Sequence, residues 1–357
     1  MTTAKTSSNK AIAVLSRLVL AEARPKVPST LTHEQFDELV SLAGSHHVLI
    51  RAISRFRDLM AGAHDHERHE WAVTAIEKEQ ARINHALACL HRVCGALQGR
   101  GCNVIVIKSL DHLPDLGSDL DLYSDAHPEK VIRGMSDCFH AELAPRSWGD
   151  RLANKWNFII PGLPELVEIH MGRIGQTGEL ISFAKALVTR SGLLQVGERT
   201  FRITAPEDRL MICTLQRMYR HFYARLCDIV DTAQLLEKGS LDFDDLQASA
   251  EENGIWEGVA TLLTIVSDYV LAYRGRGILL PSQVRSAARF GGDAISFGKG
   301  FLRIPILPHS ARLYASEWTN LMLSGQLLST ARLTLLPCLA TAAALGQKIT
   351  GSDKGIW

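Results

Sequence analysis

The segment IKSLDHLPDLGSDLDLYSD, residues 107–125, places Asp119 and Asp121 one residue apart in an alternating run. Alternation reads as a strand, in which residues i and i+2 share a face with alpha carbons roughly 6–7 Å apart. Asp119 and Asp121 then project together, while Leu120 and Leu122 enter the core. Two such carboxylates repel, and one keeps its proton unless a cation joins them. A divalent ion removes that conflict, and Mg²⁺ (or Mn²⁺) suits a few carboxylates plus substrate phosphates. Further on, ELVEIH puts Glu168 and His170 on one face of another strand. If the two strands are neighbours, Glu168 completes a three-carboxylate cluster. Such a cluster can hold two metals roughly 3.5–4 Å apart, one activating an attacking hydroxyl and one steadying the leaving group. The candidate catalytic and metal-binding residues are therefore Asp119, Asp121 and Glu168. A turn at Ser109 would offer N–H groups and a hydroxyl to a phosphate, and Lys108 would add a positive charge.

Strands and helices must hold these groups. Val104 to Ile107 is a short apolar run that reads as a buried strand leading into the Ser109 turn. Leu120 to Tyr123 is the second strand, and Pro128 to Phe139 a helix with Pro in its first turn. Residues 156–160 and 165–171 read as two strands joined by a Pro-Gly turn, and 193–203 as a hairpin around Gly197. Helices flank this part. Thr32 and Gln35 form a capping box, with Gly44 as the stop. A longer helix carries Ile76, Ile83, Leu87, Leu90, Cys94 and Leu97 at helical spacing and ends at Gly99 and Gly101. Thr204, Pro206 and Glu207 suggest a second capping box, opening helices that run to about Tyr273 and on to about Gly346. His221, Arg225 and Asp228 fall at i, i+4 and i+7, one helical face that lines a cleft or forms an ion-paired surface; Asp231 reads as an anchor between helices or at the cleft wall. The expected fold is α+β. A small mixed sheet with helices occupies 99–205, between helical regions at 1–98 and 206–357.

The ordered set Lys108-Ser109, Asp119-Leu120-Asp121, Glu168-Ile169-His170, Pro206-Glu207-Asp208, His221, Arg225-Leu226 and Asp231 resembles the polymerase-beta-like nucleotidyltransferases. It is most similar to a bacterial branch known only as nucleotidyltransferase family proteins. The resemblance covers about residues 30–270. Ser109 stands where that branch has Gly, and Leu116-Gly117-Ser118 supplies no Arg ahead of the paired acids. The resemblance implies a nucleotidyltransferase sheet and metal-dependent transfer of a nucleoside monophosphate from an NTP, most often ATP, to an acceptor hydroxyl. Pyrophosphate is released. Asp119, Asp121 and Glu168 would bind the metals, and Lys108, Ser109, Ser118, His170 and Arg225 would contact the nucleotide. The acceptor stays open between a small molecule, a peptide or protein, and an RNA end. The alternative is a catalytically silent descendant that acts through a protein partner.

Bulk properties narrow the classes. Lys plus Arg total 39 against 38 Asp plus Glu, which argues against a dedicated nucleic-acid binder with a strongly basic face. Seven cysteines without a Cys-x-x-Cys pair read as reduced thiols of a cytoplasmic protein. The polar start, MTTAKTSSNK, lacks the pattern of a secretory signal. Leu333 to Gly346 is uncharged over 14 residues and holds Pro337, too short for the roughly 20 residues of a spanning helix, so no stable membrane insertion is expected. The ends, 1–10 and 350–357, read as loose. His64, Asp65, His66 and His69 read as a solvated loop, as do His46 and His47. FGGDAISFGKG, 290–300, reads as a turn-rich connection, without the Lys-Ser/Thr ending of a P-loop.

Overall fold

A computed structural model of the chain describes residues 2–22 and 31–337. Four helices lead: α1 (Thr2–Leu20), α2 (His33–Ser45), α3 (Leu49–Gly62) and α4 (His66–Gly99). The N-terminal residues from Thr2 are thus helical rather than loose. Thr32 caps α2 as its sequence suggests: its hydroxyl accepts the Gln35 N–H (3.3 Å), and Gln35 Oε1 accepts the Thr32 N–H (3.1 Å). α4 buries Ile83, Leu87, Leu90, Cys94 and Leu97, the stripe its periodicity marks. It also starts earlier than expected. Asp65 is its N-cap, accepting the Arg68 N–H at 3.1 Å, so His66 and His69 lie on a helix and not in a loop.

The middle of the chain supplies β1 (Val104–Val106), β2 (Asp119–Ser124), α5 (Pro128–Phe139), β3 (Glu142–Leu143), α6 (Trp148–Leu152), β4 (Lys155–Ile159), β5 (Leu166–Met171), α7 (Ile181–Arg190), β6 (Gly192–Val196) and β7 (Arg199–Ile203). These strands form a mixed seven-stranded sheet in the order β3-β4-β5-β2-β1-β7-β6. β2 runs parallel to β5 and antiparallel to β1, and β4 runs antiparallel to β5. Leu120, Leu122, Val167 and Ile169 are fully buried, which fixes the register: a slip of one residue would turn the acids into the core. The fold is α+β, a mixed sheet among helices.

The C-terminal part continues with α8 (Pro206–Thr214), a π-helical turn over Leu215–His221, β8 (Tyr223–Ala224), α9 (Leu226–Glu237), α10 (Phe243–Glu252), α11 (Trp256–Arg274), α12 (Ser282–Ala287), β9 (Ser296–Gly298), β10 (Phe301–Arg303) and α13 (Ala311–Leu323). The expected capping box at Thr204 does not form. Ala205 is the N-cap, and the Glu207 carboxylate instead accepts the Asp242 N–H at 2.8 Å. The Gly-rich stretch read as a connection holds two strands. β9 and β10 meet across Lys299 and Gly300, both at positive φ (49° and 79°), as a two-residue hairpin demands. β10 also pairs with β8.

Residues 327–337 are helical. The rest of the apolar run to Gly346, and 350–357, lie outside the described residues. Among the described residues no helix is long and apolar enough to cross a membrane. One cluster of buried apolar side chains runs from Ile12 to Leu336 and draws on all three regions.

Candidate active site

Strand register builds the centre. Asp121 pairs directly with Glu168 across the parallel β2–β5 ladder, Tyr123 pairs with His170, and Asp119 with Leu166. Paired residues share a face, so Asp119, Asp121, Glu168 and His170 all stand on one side of the sheet. Asp121, Glu168 and His170 each bring a ligand atom within 4.8 Å of the others. Asp119 sits beside them, and the exposed Ser118 hydroxyl lies 3.5 Å from its carboxylate.

The turn after β1 is tighter than its sequence suggests. Lys108 has φ 63° and ψ −55°, and the Ser109 N–H donates back to the Ile107 carbonyl at 2.7 Å. This is the strained, positive-φ form of the γ-turn, unusual for a residue with a side chain. It points the Lys108 ammonium at the acids, 2.6 Å from Asp121 Oδ1 and 3.8 Å from Glu168 Oε1. The Ser109 hydroxyl faces the protein. It accepts the Asp121 N–H (2.7 Å) and donates to the Asp119 carbonyl (3.2 Å), pinning the start of β2.

A second cation comes from the far side. Lys155, the first residue of β4, is buried with its ammonium 2.9 Å from Glu168 Oε2 and 2.9 Å from Asp150 Oδ1. Asp150 is held in turn by the Ser147–Asp150 capping box of α6. His170 Nε2 lies 3.0 Å from Glu168 Oε1. Burial pushes the His170 imidazole down to about 4, against the pull of Glu168, so it is neutral and donates from Nε2; Nδ1 is buried without a partner.

These surroundings split the acids. Burial pushes Asp121 up to about 7, with Glu168 and Asp119 adding to it and Lys108 opposing. Burial also works against an ionised Glu168, but Lys155, Lys108 and His170 outweigh it and hold the carboxyl well below the usual range. Asp119 is raised by burial and by Glu168. Burial opposes the Lys108 charge, yet Asp121 and Glu168 keep its pKa above the ordinary value. The carboxylates outnumber the cations that touch them.

These groups line a cavity of about 320 Å³. Arg217, Arg220 and Arg225 line it too, with Tyr223, His47 and Gln176. Arg217 Nε lies 2.7 Å from Asp228, which also accepts the Arg225 N–H at 2.7 Å. The Arg225 guanidinium sits 5.6 Å from the ring centres of both Tyr223 and Phe301, and its Nε is buried without a partner. Phe222, at φ 53°, breaks the helix after the π turn, so His221, Arg225 and Asp228 do not share a helical face as their spacing suggests. Arg225 is instead the N-cap of α9. Asp231 ties Arg51 (2.7 Å) and His112 (2.6 Å) together.

No family model and no curated protein matches this chain.

The sequence reading missed several wall residues. Lys155 and Asn157 are polar at i and i+2 in the otherwise apolar KWNFI, and Asn157 pairs with Glu168. That alternation is the signal that could have placed Lys155 on the acidic face. His46 and His47 are not loop residues in solvent. His46 is fully buried, its Nδ1 accepting the Leu226 N–H (3.0 Å) and its Nε2 donating to the Gly300 carbonyl (2.9 Å). Nothing local in the sequence marks Arg217, Arg220 or His47; they reach the cavity through the π turn and the α2–α3 link.

Proposed function

We propose that the cavity is the active site of a metal-dependent nucleotidyltransferase, moving a nucleoside monophosphate from an NTP to an acceptor hydroxyl with release of pyrophosphate. One observation carries the reading: Asp121 and Glu168 are register partners on adjacent parallel strands, with Asp119 on the same face, in a cavity that Arg217, Arg220 and Arg225 also line. The nucleotidyltransferase resemblance of the ordered motifs supports it.

The donor set fits a hard divalent ion. Asp119, Asp121 and Glu168 are oxygen donors, and burial, with Glu168 and Asp119 adding to it, pushes Asp121 up to about 7, a strain that a bound cation would relieve. These three would hold Mg²⁺ or Mn²⁺, with His170 orienting Glu168. Bound there, the ion would supply positive charge to the attacking hydroxyl and the departing pyrophosphate.

The chain's own residues do the rest. The acceptor oxygen bonds to the α-phosphorus as the bond to the β-phosphate oxygen breaks, and the acceptor proton passes to the carboxylate cluster. Glu168, held ionised, supplies fixed charge. Lys108 and Arg225 would face the triphosphate across the cavity, and the Ser109 turn would keep β2 in register. Positioning and charge account for most of the rate in such transfers. ATP is the expected donor; the acceptor is a small molecule, a peptide or protein, or an RNA end.

A second reading rests on Lys108. Its ammonium already lies 2.6 Å from Asp121, where a metal would approach. A silent module, with that lysine as a permanent substitute for the ion, would act through a protein partner. Pyrophosphate release from each of the four NTPs, with Mg²⁺ or Mn²⁺ and a cell extract as acceptor source, separates the two. The transferase reading expects metal-dependent release that falls at least about a thousandfold in Asp121→Asn or Glu168→Gln, or roughly 4 kcal/mol of barrier. No release from wild type with any NTP and either metal would leave the silent module standing.

A further inference from the structure

A second group of donors lies at the edge of the cavity. His47 stands in the link between α2 and α3, His112 ends the 3₁₀ turn Ser109–His112, and Cys227 is the second residue of α9. One ligand atom from each lies within 4.8 Å of the others. His47 has φ 52°, a left-handed backbone that costs a histidine on the order of 1 kcal/mol and persists only where surroundings enforce it. Its Nδ1 is buried without a hydrogen-bond partner. The two imidazole rings sit 5.6 Å apart between centroids. His112 Nδ1 lies 2.6 Å from Asp231, and Arg51 holds the same aspartate at 2.7 Å. With Nδ1 facing Asp231, Nε2 is the ring atom His112 has left for a ligand, and an ion there would displace its proton. A carboxylate behind a histidine in this manner is the outer support that metal-bound histidines usually have.

We propose that His47, His112 and Cys227 form a metal site of their own, for a borderline-soft divalent cation of the zinc class. Two imidazoles and a thiolate select such an ion over Mg²⁺, which prefers oxygen donors. Zn–N of about 2.0–2.1 Å and Zn–S of about 2.3 Å place tetrahedral ligand atoms roughly 3.3–3.8 Å apart. With every pair of ligand atoms already within 4.8 Å, small side-chain rotations reach that spacing while Asp231 keeps His112 in place. His47 and His112 both line the cavity, so the fourth position takes water from that side. The ion would join three segments that wall the carboxylate site: the α2–α3 link, the turn carrying Lys108 and Ser109, and α9, capped by Arg225. Asp231 is a positioning residue here, acting through His112.

The same atoms invite a cysteine-nucleophile reading, with His112 as base and Asp231 behind it. Cys227 is fully buried and does not line the cavity, so no substrate reaches its sulfur. An ion does not have that difficulty.

The test is a Co²⁺ titration of the full chain after chelator treatment, followed by absorbance, with bound zinc per purified chain measured alongside. The site predicts one Co²⁺ per chain with a thiolate-to-cobalt charge-transfer band. Cys227→Ser should abolish the band. His47→Gln should weaken Co²⁺ binding at least about tenfold, and Asp231→Asn about ten- to hundredfold. Circular dichroism establishes that each variant is folded, and the wild-type titration stands without any variant. Glu168→Gln should leave the band unchanged, which separates this site from the carboxylate cluster. Folded wild type with no band, a band that survives Cys227→Ser, or one lost in Glu168→Gln overturns the proposal; the first outcome would leave His112–Asp231 as an ion pair only.

Discussion

Glu168 carries more partners than any other acid of the cluster: Lys155, His170 and, more distantly, Lys108. Removing one partner of a buried ion pair costs far more than the pair gains over apolar replacements, because a charge is stranded. Lys155→Met takes the nearest cation from both Glu168 and Asp150, leaving Lys108 and Arg220 at 3.8 and 3.7 Å, and should lower stability by about 3 kcal/mol in urea unfolding. Adding Glu168→Gln should recover part of that loss, since neighbouring sites do not add. A loss under about 1 kcal/mol would mean that Lys155 is solvated rather than holding the cluster. At this scale the sequence was most legible. Alternation alone put Asp119 with Asp121 and Glu168 with His170, because period two is a property of any strand. Lys155 was illegible for the opposite reason: it meets Glu168 only through the antiparallel register of β4 on β5, a long-range pairing that no local spacing encodes.

Helices and turns hold the cationic wall, and two of their contacts are tight enough to test. A Cβ on Gly258 of α11 would come within 2.4 Å of the Tyr219 ring in the π turn that carries Arg217 and Arg220. Gly258→Ala should destabilise by about 1–3 kcal/mol and displace that turn, an overpacking effect visible as a lower melting temperature. An unchanged melting temperature would show that the turn yields freely. His46 joins α9 to the β9–β10 hairpin through both ring nitrogens. Burial, helped by Arg225, lowers its pKa to about 4 against the opposing Gly300 carbonyl, so the folded chain binds this proton less readily than the unfolded chain does. Stability from His46 is therefore fully present above about 6.5 and lost as pH falls toward 4. Thermal unfolding of wild type and His46→Gln between pH 7 and 5 should differ in slope. The variant lacks up to one proton's share of acid destabilisation, about 1.4 kcal/mol per pH unit, while the raised carboxyls of Asp115, Asp121 and Asp208 contribute alike to both. An identical slope in the variant would contradict this. Here the sequence misled in two places. Helical spacing grouped His221, Arg225 and Asp228, but Phe222 at positive φ ends the helix between them. Glycine density suggested a connection over 290–300, where Lys299-Gly300 is the tight turn of a hairpin flanked by Phe297 and Phe301.

Across the whole molecule, near-neutral charge hides a local concentration: acids gather on β2 and β5, and three arginines line the same cavity from the π turn and the start of α9. That arrangement concentrates field inside one cavity without making the surface basic. The mixed sheet and its helical flanks were legible from periodicity and caps. Their joining through one continuous core was not, since it depends on which faces meet. In the proposed function the carboxylate cluster takes a divalent cation together with a nucleotide. Calorimetric titration of ATP, GTP, CTP and UTP into the full chain, with and without Mg²⁺ or Mn²⁺, tests this most directly beside an Asp119→Ala/Asp121→Ala double variant. At least one NTP should bind wild type only when the metal is present, and this binding should be lost in the double variant. Binding that ignores the metal and survives the double substitution, or no NTP binding by wild type with either metal, would contradict it.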